Sequence, residues 1–399
     1  MTENTIKTAD DSLLKVYNRF PVSLKRGEGV YLYDEEGKEY LDFFAGIGVC
    51  ALGYGDKRYT DALKEQIDLL MHTSNLFYNE KNALAAEKLK KISGMDRVFF
   101  TNSGTEAIEG LIKTARKHAY LKDGHTDHNI IAMEHSFHGR SMGALSVTGN
   151  PHYREAFEPL IGGVRFAKFN DTDSVKALVD DKTCAILLET VQGEGGVYPA
   201  EQEFLEELRR LCDERDILLM FDEIQCGMGR SGDYFAWQGY GVKPDCMALA
   251  KAIGNGIPVG AFLMTQKVAD SSLVPGDHGT TYGGNPLACA AVNAVLDVFE
   301  QDDIIAHVKK VSPYLEKKLL QLKDEFPGLI ADVRGRGLIR GIELKIPVGE
   351  VVSESRQMGL LVISAEGNVL RLLPPLVTEE KHIDKAVEIL QNILEKKAK

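Results

Sequence analysis

Ile217-Leu218-Leu219-Met220-Phe221 is an unbroken apolar run, and Asp222-Glu223-Ile224-Gln225 closes it with two carboxylates and an amide. So short and so apolar a run predicts a strand buried on both faces, as in parallel sheets. Just upstream, Gln202 to Arg215 places Phe204, Leu205, Leu208 and Leu211 on one helical face, so helix and strand read as one crossover unit. The alternation repeats from about Lys57 to about Asp302, with further runs at Arg97 to Phe100, Ile130 to Met133, Cys184 to Leu188, Cys246 to Leu249 and Gly260 to Met264. It predicts an α/β fold: a large domain over residues 57–302 with a mostly parallel sheet between helices. Ahead of it, residues 1–56 contain Val30 to Tyr33 and Glu39 to Phe43 on either side of the turn Asp34 to Lys38, a β-hairpin pattern. Beyond it, residues 303–399 alternate the amphipathic stretches Val308 to Phe326 and His382 to Lys397 with strand-like Gly337 to Leu344 and Val369 to Leu373. That predicts a smaller α/β domain, to which the N-terminal segment is assigned.

The chain has 399 residues, with 47 Lys plus Arg against 59 Asp plus Glu, a net charge of −12, and no basic block. This balance argues against a partner that presents a phosphate backbone, whether nucleic acid or an anionic membrane surface, and leaves small molecules. The six cysteines include no CxxC pair and fit a reducing compartment. Met1 to Lys15 carries Glu3, Asp10 and Asp11 with no apolar core, and no run approaches the roughly 20 residues that span a bilayer. The expectation is a cytoplasmic protein. The histidines show no HxH or HExxH spacing, so no metal site is expected.

In open α/β sheets ligands bind beyond the carboxyl ends of the strands, which makes the polar residues after each apolar run the candidates. Asn102-Ser103-Gly104-Thr105 follows one run and opens a helix from about Glu106 to Tyr120, where free N–H groups and hydroxyls form an anion cradle. Alone, the motif reads first as a Ser N-cap with Glu106 completing a capping box. Asp222 ends a second run as a carboxylate at the edge of the core, in need of a cation or donors. Lys251 follows a third, Cys246 to Ala250, as an ammonium whose pKa burial would lower, which suits a Schiff-base amine. Each has a plain structural explanation, but one cofactor calls for all three. Pyridoxal 5′-phosphate needs a cradle for its phosphate, a carboxylate for its pyridinium nitrogen and a lysine for its aldehyde.

The ordered series Ser103-Gly104-Thr105-Glu106-Ala107, Phe137-His138-Gly139-Arg140, Gln192-Gly193-Glu194-Gly195-Gly196, Asp222 to Arg230, Ala250-Lys251 and Thr281-Tyr282-Gly283-Gly284-Asn285-Pro286 resembles the class III pyridoxal-phosphate aminotransferases, of fold type I. The likeness runs from about Asn18 to the C-terminus. It implies Lys251 as the Schiff-base lysine, Asp222 as partner of the pyridine nitrogen, Ser103, Gly104 and Thr105 at the phosphate, Phe137 and Ile224 on the ring faces, and Gln225 near the ring hydroxyl. It also implies a homodimer with shared active sites, Thr281 crossing to the other subunit's phosphate and Thr280 among the substrate contacts.

The implied reaction carries a terminal amine from an ω-amine donor to 2-oxoglutarate, yielding a semialdehyde and glutamate, and the likeness favours N-acetylornithine as donor. Arg371 would take the α-carboxylate of the oxo acid and Arg140 the second carboxylate or that of an acylated ornithine. Glu189 would be the gate that pairs with the substrate arginine while the amine donor is bound. Gly46 stands near where ornithine-type relatives carry a tyrosine, which favours an acylated donor. Cys50, Thr190 and Ala252 depart from the family pattern, so ornithine, succinylornithine, 4-aminobutyrate or a polyamine stay open, as does an aminomutase relative that needs no oxo acid.

Overall fold

The structure, a computed structural model, describes residues 2–399; Met1, the first residue of the expected N-terminal segment, lies outside the described residues. Its centre is a seven-stranded sheet in the order Arg97–Thr101, Gly260–Met264, Cys246–Leu249, Leu218–Asp222, Thr183–Glu189, Asn129–Met133, Val164–Ala167. Side chains alternate across it, as the pleat requires. Ile131, Met133, Ile186, Leu188, Leu219, Phe221 and Met247 join one core, while Ile130, Ala132, Ala185, Leu187, Leu218, Met220 and Ala248 join another. Both faces are apolar because helices cover both: Gln202–Arg215 and Pro286–Gln301 contribute to the first core, and Gly104–Asp123 supplies Ile108, Leu111 and Ala115 to the second.

Gly260–Met264 runs antiparallel to both its neighbours. Residues 250–259 explain the reversal, since a parallel return needs a crossover of about a dozen residues or more and this connection holds only the short turn Lys251–Ile253. Several strands escaped the sequence pattern, among them one in the seven-stranded sheet and one in a four-stranded sheet. Val164–Ala167 lies at the sheet edge and carries Arg165, and Ile330–Arg336 is half-exposed and alternates polar with apolar residues.

The helix Gly104–Asp123 lies so close to the sheet that a Cβ at Gly110 would meet the Phe262 ring at 2.3 Å. Phe262 is buried and stacked on Phe99 with centroids 5.0 Å apart, so the ring has little room to yield. Gly110→Ala is expected to destabilise the chain by about 1–3 kcal/mol from overpacking, despite a helix-propensity gain of about 1 kcal/mol. Urea denaturation checks this; an unchanged midpoint would mean that the ring moves aside freely.

In the C-terminal part, Ile330–Arg336, Ile339–Leu344, Val369–Leu372 and Ile363–Ala365 form an antiparallel sheet, packed with the helices Ile304–Glu325, Val348–Gln357 and Glu380–Lys397. The hairpin Tyr31–Asp34 with Glu39–Asp42 attaches here through parallel pairing of Glu39–Asp42 with Leu360–Leu361. Among the described residues no helix is long and apolar enough to cross a membrane.

Candidate active site

The parallel register levels the strand ends: Asp222 pairs with Glu189 on one side and Ala248 on the other. Loops from these ends enclose a cavity of about 470 Å³ that Ser103, Gly104, Thr105, Phe137, Arg140, Glu189, Asp222, Ile224, Gln225 and Lys251 all line. Ser103 caps the helix Gly104–Asp123, its hydroxyl accepting the Glu106 N–H at 3.3 Å. The first-turn N–H groups behind it have no intrahelical acceptor. A Cβ at Gly104 would fill this cradle, meeting Ile224 at 2.8 Å. Thr105 is fixed from behind, its hydroxyl 2.8 Å from that of Ser141.

Asp222 is almost wholly buried, yet one carboxylate oxygen lies 2.8 Å from Nδ1 of His138 and the other accepts the Ile224 N–H at 2.9 Å. Nε2 of His138 is buried without a partner. Lys251 sits at φ +51°, an uncommon conformation for a residue with a side chain. Burial pulls its pKa down, against the opposing pull of Glu194 and Asp222. The arrangement fits pyridoxal phosphate: an anion cradle that only glycine keeps open, a buried carboxylate held in place, and a desolvated amine.

Arg371 corrects one expectation. It does not pair with Glu189: its Nη1 donates to Glu194 at 2.9 Å and to the Gln225 side-chain oxygen at 3.1 Å. Glu189 ends its strand fully enclosed, where its carboxylate accepts the N–H groups of Phe137 (3.1 Å) and Gly193 (3.4 Å). Burial pushes its pKa up to about 7, eased by nearby His138 and reinforced by Asp222. Glu194, five positions along on the connecting loop, has the reach that a strand-end residue lacks. Arg371 is 2% exposed, with Nε lacking a partner. It does not line the large cavity but meets it through Gln225.

Thr280 and Thr281 are also absent from the large cavity; they line an adjoining pocket of about 350 Å³, where Thr280 accepts the Asn102 amide at 3.1 Å. The guanidinium of Arg140 lies over the Tyr153 ring, 3.9 Å from its centroid. Arg230, which closes the Asp222 to Arg230 motif without a role legible in the sequence, is fully buried and donates to the carbonyls of Leu338 (3.2 Å) and Pro374, tying the loop after Asp222 to the C-terminal sheet region. Among the departures, Thr190 meets Cys226 at 3.2 Å behind the cavity, and Cys50 is half-buried.

Glu223 faces away from the cavity and accepts the N–H groups of Ala236 and Trp237, each at 2.9 Å. Burial raises its pKa to about 7. A carboxyl raised in the folded state is protonated there before it is in the unfolded chain, so its contribution is full at low pH and is lost as pH rises from about 4.5 to 7. Glu223→Gln should therefore cost more stability at pH 5 than at pH 8, the gap narrowing by at most about 3 kcal/mol. Urea denaturation at both pH values measures it, and a penalty that grows with pH would contradict the assignment.

Residues 14–394 match the aminotransferase class III family. The chain belongs to that family: it is a pyridoxal-phosphate-dependent transaminase. It is 49% identical over 380 residues to an acetylornithine aminotransferase of Clostridium acetobutylicum, covering 95% of this chain and 98% of that one. Among solved structures, an acetylornithine aminotransferase from Elizabethkingia anophelis shares 31% identity at a TM-score of 0.88, with 99% of each chain covered. An ornithine aminotransferase from Toxoplasma gondii, whose active site holds partly occupied pyridoxal phosphate, shares 30% at a TM-score of 0.94, covering 100% of this chain and 95% of that one.

Proposed function

We propose that this chain moves the terminal amine of N-acetylornithine to 2-oxoglutarate, leaving a semialdehyde and glutamate. The observation that carries it is the Arg371–Glu194 pair beside Gln225, a buried guanidinium whose counter-charge sits on a loop. While an amine donor is bound, Glu194 neutralises Arg371; a dicarboxylate displaces Glu194 and takes the guanidinium in its place. One site thereby serves two substrates of different charge. The names of the relatives support an acylated ornithine as donor.

The bound cofactor supplies an electron sink for the carbon that carries the amine. Ser103, Gly104 and Thr105 would hold its phosphate, Phe137 and Ile224 its ring faces, Gln225 its hydroxyl and Lys251 its aldehyde carbon. Asp222, held by His138, keeps a proton on the ring nitrogen. Lys251, its amine freed when the donor binds, takes the proton from the donor's amine-bearing carbon; burial, which lowers its pKa, readies it as a base. Arg140 binds the donor's α-carboxylate. In the same reading the enzyme is a cytoplasmic homodimer in which Thr281 reaches the partner's phosphate cradle, and residues 1–56 with 303–399 form the small domain around residues 57–302. The exposed run Leu69, Leu70, Met71, Leu76, Phe77 and Tyr78 supports the dimer.

A donor panel with 2-oxoglutarate, read by glutamate formation, tests the donor: N-acetylornithine should exceed ornithine and 4-aminobutyrate in kcat/KM, and the reverse order would refute it. Replacing the guanidinium separates the halves of the reaction. Arg371→Lys is expected to raise KM for 2-oxoglutarate about 10–100-fold, since charged hydrogen bonds of about 1.5–3 kcal/mol are lost. Single-turnover reaction with the amine should change by less than about threefold, because that half leaves Arg371 paired with Glu194. Equal losses in both halves would place Arg371 elsewhere in the chemistry.

A further inference from the structure

Beyond Phe137, which it shares with the large cavity, lies a second cavity of about 320 Å³. Its neutral polar groups include Asn150, Tyr153 and Ser364. Its lining carries the two carboxylates Glu194 and Glu366 and the imidazole of His135, with no lysine or arginine. Glu194 is neutralised by Arg371 at 2.9 Å. Glu366 is anchored at the rim: its N–H donates to the Glu194 carbonyl at 2.9 Å, and its carboxylate lies 3.1 Å from Nδ1 of His135. Neither Glu366 nor His135 takes part in the chemistry above.

Arg140 links the two cavities. Its guanidinium lines the large one and stacks on Tyr153, which lines the second. A donor that rests its α-carboxylate on Arg140 carries its acylated nitrogen on the adjacent carbon, so the acyl group must lie close to this stack. We infer that the second cavity receives the donor's N-acyl group, and that Glu366 restricts it to uncharged acyl groups, rejecting one that ends in a carboxylate. The inference rests on the acylated-donor reading above. Asn150, whose Oδ1 already accepts the His152 N–H at 3.0 Å, still has its NH₂ group to donate to an acyl carbonyl. A succinyl carboxylate in the same place would face the Glu366 carboxylate in a cavity that no lysine or arginine lines, with His135 already engaged by Glu366 and the nearby Arg140 taken by the donor's α-carboxylate; discrimination by an introduced repulsion is an effective route to specificity.

The test uses the holoenzyme with two unreactive probes, N-acetylnorvaline and N-succinylnorvaline, which lack the terminal amine and so report binding alone by calorimetry. The kcat/KM values for N-acetylornithine and N-succinylornithine are measured in parallel. The wild type should favour the acetyl compound in both measurements by about tenfold or more, a repulsion expected of like charges in a half-solvated site. Glu366→Gln, and Glu366→Ser as a second variant, should narrow both ratios by about tenfold, through better use of the succinyl compound, with the acetyl compound changed less than about threefold. A merely structural Glu366 would lower both donors together and leave the ratios alone. Turnover of N-acetylornithine with ratios unmoved by either variant overturns this inference only; turnover of neither acylated donor overturns the donor reading and the inference with it.

Discussion

Lys251→Ala is expected to lower the single-turnover rate with N-acetylornithine by at least about 10⁴-fold, the joint loss of a covalent anchor and a positioned base. Lys251 opens the turn Lys251–Ile253, two residues past the strand Cys246–Leu249, with its backbone at φ +51°, and it lines the cavity beside Asp222 and Glu189. Lys251→Arg should not restore the rate, because a guanidinium with a pKa above about 12 cannot act as a base near neutrality. Rapid-mixing absorbance measures both variants; a loss under about 100-fold in Lys251→Ala would assign the proton to another group.

The second large effect is at Asp222. Asp222→Asn keeps the shape and removes the charge opposite the ring nitrogen. Two opposite unit charges about 4 Å apart at an effective dielectric near 20 attract by about 4 kcal/mol, and a charge pair of that order would set the expected loss in kcat at about 10²–10³-fold. Because His138 holds the carboxylate at 2.8 Å, His138→Ala should produce a smaller loss in the same parameter. Steady-state kcat with saturating substrates measures both, and Asp222→Asn within about threefold of wild type would remove the carboxylate from the mechanism.

Much of this site was legible because buried parallel strands read as plain apolar runs. Where each run stops, the first polar residue lies at the sheet's carboxyl edge, which is how Asp222, Glu189 and Lys251 announced themselves. The misreading of Glu189 has the same origin. A strand end locates a residue along its own strand but not its partner, and Arg371 arrives from a different sheet. Glu194 was visible in Gln192-Gly193-Glu194, but only a loop conformation decides that it, rather than Glu189, meets the guanidinium. Val164–Ala167 and Ile330–Arg336 were missed because edge and half-exposed strands carry the polar residues that buried ones exclude. The role of Arg230, the last residue of the Asp222 to Arg230 motif, was hidden for the opposite reason: arginine reads as a surface residue until its acceptors, the carbonyls of Leu338 and Pro374, are brought around it from distant segments.

The most direct measurement is the visible absorbance of the purified holoenzyme as N-acetylornithine is added with no oxo acid present. Loss of the cofactor's band, with one semialdehyde formed per site, and its return on adding 2-oxoglutarate would be the signature of amine transfer through Lys251 in two separable halves. A band that N-acetylornithine leaves untouched, but that ornithine, 4-aminobutyrate or putrescine removes, would contradict the assigned donor.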